Sequence, residues 1–161
     1  MKVKVIGMRA EPDAFNWAVS EGTQEVPILI AVERVAAPSG YLEPEMLSHF
    51  RNRLLHIIQT HNPERAGLRT PESIARAGGE SARRRLRLEG VLLAASSESG
   101  LSVTLGALVT VNRLLGSKSA KLFLNSTEYR GIDWSKHPQA KREAILMSAS
   151  LLPSETDASH S

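Results

Sequence analysis

The sequence predicts an α/β domain on one mixed central sheet: a three-stranded antiparallel meander, then helix-linked parallel strands, with helices on the faces. Two observations carry this. Apolar residues recur at every second position through the first third of the chain, and beyond Pro44 stretches of helical spacing alternate with short alternating runs. Lys2 to Met8, with Val3 and Val5, reads as the first strand; Phe15, Trp17 and Val19 mark the second, and Val26, Ile28, Ile30 and Val32 the third. Glu11-Pro12-Asp13 and Glu21-Gly22-Thr23 carry turn chemistry between them.

After Pro38-Ser39-Gly40 the period lengthens. Leu47, Phe50, Leu54 and Ile57 or Ile58 form one apolar stripe, and Pro44 suits a first helical position, so a helix is expected from Pro44 to His61, stopped by His61-Asn62-Pro63. Ala66 to Thr70 is a short strand. Ser81 is placed to cap a second helix through Leu86, Val91, Leu93 and Ala94, which Ser99-Gly100 ends. Leu101, Val103 and Leu105 alternate as another strand, and Leu108, Val111 and Leu115 form a short helix closed by Gly116. From residue 117 to 137 no period stands out, although Leu122-Phe123-Leu124 is apolar and a loop carrying Tyr129, Asp133 and Trp134 comes after it. Pro138 opens a last helix whose apolar side includes Ala140, Ala144, Ile145, Ala149 and Leu152. Residues 1–152 are thus expected as one domain, and 153–161, small and polar, as a disordered tail. The order β-β-β-α-β-α-β-α-α favours right-handed crossovers in the second half. Neither a doubly wound nucleotide-binding fold nor a ferredoxin-like sandwich begins with three strands.

Composition narrows the chemistry. The 161 residues include no Cys, which removes disulfides, thiolate nucleophiles and Cys-based zinc sites. The longest apolar stretch, Val26 to Val32, is far short of the roughly 20 residues of a membrane span, and Lys2 and Lys4 interrupt any signal-peptide core. A cytoplasmic protein without membrane association is the expectation. A net charge of +3 permits an acidic partner such as nucleic acid without requiring one.

The element order, with Arg83 to Ala95 (RRRLRLEGVLLAA), Gly100 to Leu105, Val111 to Lys121 (VNRLLGSKSAK) and Ala140 to Ala149, resembles the RNase H-like superfamily, in particular small RuvC-type resolvase relatives and an uncharacterised bacterial family near them. The resemblance spans most of residues 1–152. It implies an Asp after the Ile-Gly-x of strand one, a Glu at the end of strand four and an acidic pair opening the final helix. Carried onto this sequence, the first falls on Arg9, the second on or beside Thr70 with Glu72 two residues away, and the last pair on about Ala140 and Glu143. One matched acid remains. The resemblance also implies a homodimer, without specifying its surface.

A two-metal phosphodiesterase needs several carboxylates around its cations. A guanidinium at position 9 can ligate none, so no cofactor is expected; Mg²⁺ enters only if shifted acids rebuild a nuclease site. Glu72 and Glu143 are the catalytic candidates for that case, with Glu11, Asp13 and Glu33 as further acids, although Glu11 and Asp13 suit a turn around Pro12 and Glu143 suits the first turns of a helix.

Basic residues suggest nucleic-acid contact instead. Arg76, Arg83, Arg84, Arg85 and Arg87 gather around the start of the second helix, Arg83 and Arg84 each sharing a face with Arg87, and strand one could bring Arg9 near them. A solvated face paired with Glu80 and Glu89 explains the same run. Lys118 and Lys121 form a second basic loop, without the spacing of a triphosphate cradle. His49, His56, His61 and His137 lack shared metal-ligand spacing. Phe15 and Trp17 read as core, and Trp134 as the aromatic most suited to an exposed contact. Three functions are compatible with these features: a catalytically degenerate nucleic-acid-binding module, a protein-interaction or oligomerisation module using a sheet edge or the wide apolar side of the last helix (Ala140, Ala144, Met147, Leu151), and a metal-dependent nuclease with shifted acids.

Overall fold

The structure, a computed structural model, describes residues 2–72 and 78–158. Strands β1 (Lys4–Glu11), β2 (Ala14–Gly22) and β3 (Pro27–Ala36) form the antiparallel meander; α1 (Glu43–His61) leads to β4 (Arg65–Arg69), and α2 (Glu80–Glu98) to β5 (Ser102–Gly106). The five strands lie in the order β3-β2-β1-β4-β5, with β1, β4 and β5 parallel. The mixed sheet and its meander are as the sequence predicts.

Alternation along β1 splits the core into two layers. Ile6 and Met8, with Phe15, Trp17 and Val19 of β2, face α1 and α2, where Phe50, Leu54, Leu88 and Leu92 complete one cluster. Val5 and Ala18 face the other way, toward α5 (Gln139–Ser150). The first crossover helix is ended by backbone chemistry: Asn62 adopts φ 54° after α1 and returns its N–H to the Ile58 carbonyl at 2.7 Å.

The stretch without a sequence period lies beyond α3 (Leu108–Leu115), itself expected, and contains α4 (Ala120–Leu124) and a two-stranded hairpin, β6 (Glu128–Tyr129) and β7 (Ile132–Asp133). These pieces are too short to show a period. They cap α5: Tyr129 and Trp134 stack with ring centroids 5.5 Å apart, and Trp134 is fully buried, its indole N–H donating to the Ser126 carbonyl at 2.9 Å. Trp134 is therefore a core residue, not an exposed contact, because the hairpin folds back over it. The apolar width of α5 is likewise consumed inside the domain. Ala144 to Ser150 are all buried, between the sheet on one side and α3, α4 and the hairpin on the other, which removes that helix as a partner surface.

Two boundaries differ from expectation. Gly79 is the N-cap of α2, and Ser81 lies inside its first turn. The segment after Leu152, where composition predicts a disordered tail, holds a short helix α6 (Glu155–Ala158), with the Glu155 N–H donating to Glu25 Oε2 at 2.9 Å; residues 159–161 lie outside the described residues. No described helix is long and apolar enough to cross a membrane.

Candidate functional site

The site begins with two glycines. Gly7 of β1 and Gly67 of β4 are register partners on the α5 side of the sheet, and the absence of their Cβ atoms lets α5 lie directly on the strands. A Cβ on Gly7 would sit 2.2 Å from the Ala144 carbonyl oxygen. One turn of α5 anchored there projects Glu143 over the next register pair on that face of the sheet, Arg9 and Arg69.

Arg9 Nε lies 2.8 Å from Glu143 Oε2, and its Nη1 donates to the Arg69 carbonyl at 3.0 Å. Arg69 Nη2 reaches Glu143 Oε1 at 3.4 Å and Glu72 Oε1 at 2.5 Å, while its Nη1 donates to the Thr70 carbonyl. Glu72 Oε1 also accepts the Leu108 N–H at 3.2 Å, which ties the start of α3 to the cluster. Arg69 is only 3% exposed. Burial pulls its pKa below the usual arginine value, Glu143 opposes that shift, Arg9 adds to it, and Glu72 opposes it again. Two guanidinium groups and two carboxylates thus share charge at the ends of β1 and β4.

This donor set does not suit a divalent cation. Hard cations take several oxygen ligands, but here each carboxylate is already held by a guanidinium, and Arg9 and Arg69 set two fixed positive charges beside them. Among the described residues no group of three or more His, Cys, Asp or Glu is placed to hold a metal ion. Glu11 is engaged elsewhere: it binds Arg34 at 2.9 Å and accepts from Asn16 at 2.8 Å beside the β1–β2 turn, and Arg34 holds its carboxyl below the usual range.

The basic residues divide. Arg83 and Arg87 pair with Glu80, and Arg84 and Arg87 with Glu43 of α1, so two carboxylates offset part of the positive charge at the start of α2; Arg9 points instead to α5. Arg76 lies outside the described residues. The side chains of Lys118 and Lys121 carry no hydrogen bond or ion pair among the described residues. Lys118 borders an open cleft of about 540 Å³ at the end of α3, with Val109, Asn112, Arg113, Gly116 and Ser117.

Two buried charged residues, Arg69 and Glu89, are not singled out by the sequence. Arg69 had one signal: Arg65, Gly67 and Arg69 share a face of β4, so a guanidinium there must meet α5. Glu89, expected as a solvated partner of the arginine run, is instead buried and joins none of its ion pairs, because α2 turns that position toward Leu68 of β4 and Leu105 of β5. It is 5% exposed, its Oε2 lacks a hydrogen-bond partner, and burial raises its carboxyl pKa against the weaker opposing pull of Arg85 and Arg9. A raised folded pKa means that stability falls as pH climbs from the ordinary glutamate value toward the raised one. Glu89→Gln is therefore expected to stabilise the protein at pH 7, the difference vanishing below about pH 4, where the carboxyl is protonated folded and unfolded alike. Urea unfolding at both pH values checks this, and equal stabilisation at both would contradict it.

No protein-family model matches the chain, and no curated protein sequence matches it. Solved structures do. RuvC of Thermus thermophilus, in complex with a Holliday junction substrate, superposes with a TM-score of 0.73 at 17% identity, covering 92% of this chain and 91% of that one. Another structure of the same resolvase gives 0.71 at 19% identity, with 92% of each chain covered. The yeast mitochondrial Holliday junction resolvase gives 0.53 at 12% identity, covering 92% of this chain and 78% of that one. Strand order, helix placement and these superpositions agree: the chain has the RNase H-like fold, in the arrangement of the RuvC-type resolvases.

Proposed function

We propose that the protein is a catalytically degenerate RuvC-like module that binds nucleic acid without cutting it. The observation that carries this is the ion pair of Arg9 with Glu143, on a RuvC-type fold, at the strand position where the resemblance places a metal-binding acid. A guanidinium there supplies charge and donors for phosphate, but no ligand for magnesium. The cluster itself is balanced, so attraction for a phosphate backbone rests on unpaired cations nearby. α3 runs from the cluster, where Leu108 meets Glu72, toward Lys118 in the turn after it and Lys121 in the first turn of α4, which makes that corner the primary backbone contact.

Purified protein should bind four-way junction or duplex DNA with a steep loss of affinity between low and moderate salt. It should leave both intact in Mg²⁺ or Mn²⁺. Replacing Lys118 and Lys121 together by Glu should weaken binding about tenfold or more at low salt and flatten its salt dependence. Absence of binding at low salt would remove this function, and cutting abolished by Glu143→Ala would restore the nuclease. Protein association is a second function with a specific observation behind it. Ile28 and Ile30 of β3 are 41% and 40% exposed and Val26, just before it, 59%, and β3 is an edge strand with unpaired backbone groups. Light scattering at two concentrations tests it: a strict monomer excludes self-association through that edge.

A further inference from the structure

We infer that the cleft between α2 and the edge strand β5 is a binding site for a small organic cation, an apolar body carrying a protonated amine, amidine or guanidinium. The cleft holds about 270 Å³ and is walled by Leu68, Pro71, Leu86, Leu93 and Leu105, with Glu89 and Gly90 of α2 on its helix side and Thr70 at one end. Leu86 and Leu105 are 41% and 55% exposed, so its rim is apolar surface facing solvent. Glu89 is its acidic group, more than nine-tenths buried and with an oxygen that no described residue satisfies.

A buried carboxylate without a donor is costly, and native proteins rarely leave one so. Arg85, one turn earlier on α2, does not relieve it: no ion pair joins the two, and Arg85 Nε is itself buried and unpartnered. A bound cation would supply the missing donor through a charge-assisted hydrogen bond, roughly twice as strong as a neutral one, while its body covers the leucines. Phosphate or carboxylate ligands are disfavoured by the same acid. The site lies across the sheet from Arg9 and Glu143, and the proposal does not depend on nucleic-acid binding.

Benzamidine, with benzamide as its neutral isostere, is a suitable probe, followed by calorimetry and by chemical shifts of the α2 amides. Benzamidine should bind in the millimolar range or tighter and perturb residues 86–93, and benzamide should bind about tenfold more weakly. Glu89→Gln should remove that preference. Gly90→Leu provides a control for folding: a Cβ at Gly90 meets nothing within 4 Å, and Leu suits a helix better than Gly, so the variant should remain folded while its side chain fills the cleft and abolishes binding. Equal affinity for the two probes, binding unaffected by either substitution, or no binding at millimolar benzamidine overturns the proposal. Dissociation of an oligomer by benzamidine would also overturn it, by assigning the cation to a side chain of a second copy.

Discussion

Glu143→Ala should lower the unfolding free energy by about 3 kcal/mol, the lower end of the cost of breaking a buried ion pair by removing one partner, since the Arg9 and Glu143 side chains keep 17% and 11% of their surface exposed. Glu143 is the shared acid of Arg9 and Arg69, which are neighbours in the sheet register. Without it, Arg69 retains Glu72, but Arg9 retains only its hydrogen bond to the Arg69 carbonyl, and the two guanidinium charges face each other where little water enters. Glu143→Gln preserves the volume and one acceptor, so it separates charge from packing; most of the loss should persist. The double variant Arg9→Met with Glu143→Leu should recover much of the stability, because an apolar pair of similar volume avoids the desolvation of both ions. Urea unfolding of these variants beside the parent protein measures each step, and the two single apolar replacements complete a double-mutant cycle. A loss below about 1 kcal/mol for Glu143→Ala would be that of a surface ion pair and would mean that the cluster is solvated.

Gly7→Ala should cost about 3 kcal/mol, at the upper end for overpacking by one methyl, because the obstructing atoms are backbone. The added Cβ would lie 2.2 Å from the Ala144 carbonyl oxygen and 2.5 Å from the Ser148 nitrogen, and an α-helix cannot yield locally at either atom. α5 must lift as a body. That movement would also part the buried Ser20 and Ser148 hydroxyls, now 2.7 Å apart, and withdraw Glu143 from Arg9. Gly67→Ala is the informative comparison. Its Cβ would meet Leu151 Cδ1 at 2.6 Å and Met147 Cγ at 2.9 Å, flexible side chains that can rotate away, so about 1 kcal/mol is expected. Thermal or urea denaturation ranks the two, and an equal effect would show that α5 does not depend on contact at Gly7.

Period and turn chemistry made the meander, α1, β4, β5 and α3 legible, because each is long enough, or bounded sharply enough, for one face to repeat. The hairpin at Glu128 to Asp133 was not, since two-residue strands have no period, and Trp134 was misplaced for that reason. The site was half visible. Arg9 and Glu143 could be placed by motif, yet Arg69 emerged only when β1 and β4 were seen in register, and Glu89 only when the β5 edge closed over α2. The pairing of the arginines at the start of α2 was hidden in the same way, since Glu43 comes from α1.

Local order and chemical identity belong to the chain read in one dimension: the β-β-β-α-β-α-β frame, the lack of thiol chemistry, and a guanidinium at the end of strand one. Which charges neutralise one another was settled by packing. Ion pairing depends on distances between residues far apart along the chain, as with Arg9, Arg69 and Glu143, and those distances are set by two glycines that let a helix rest on the sheet.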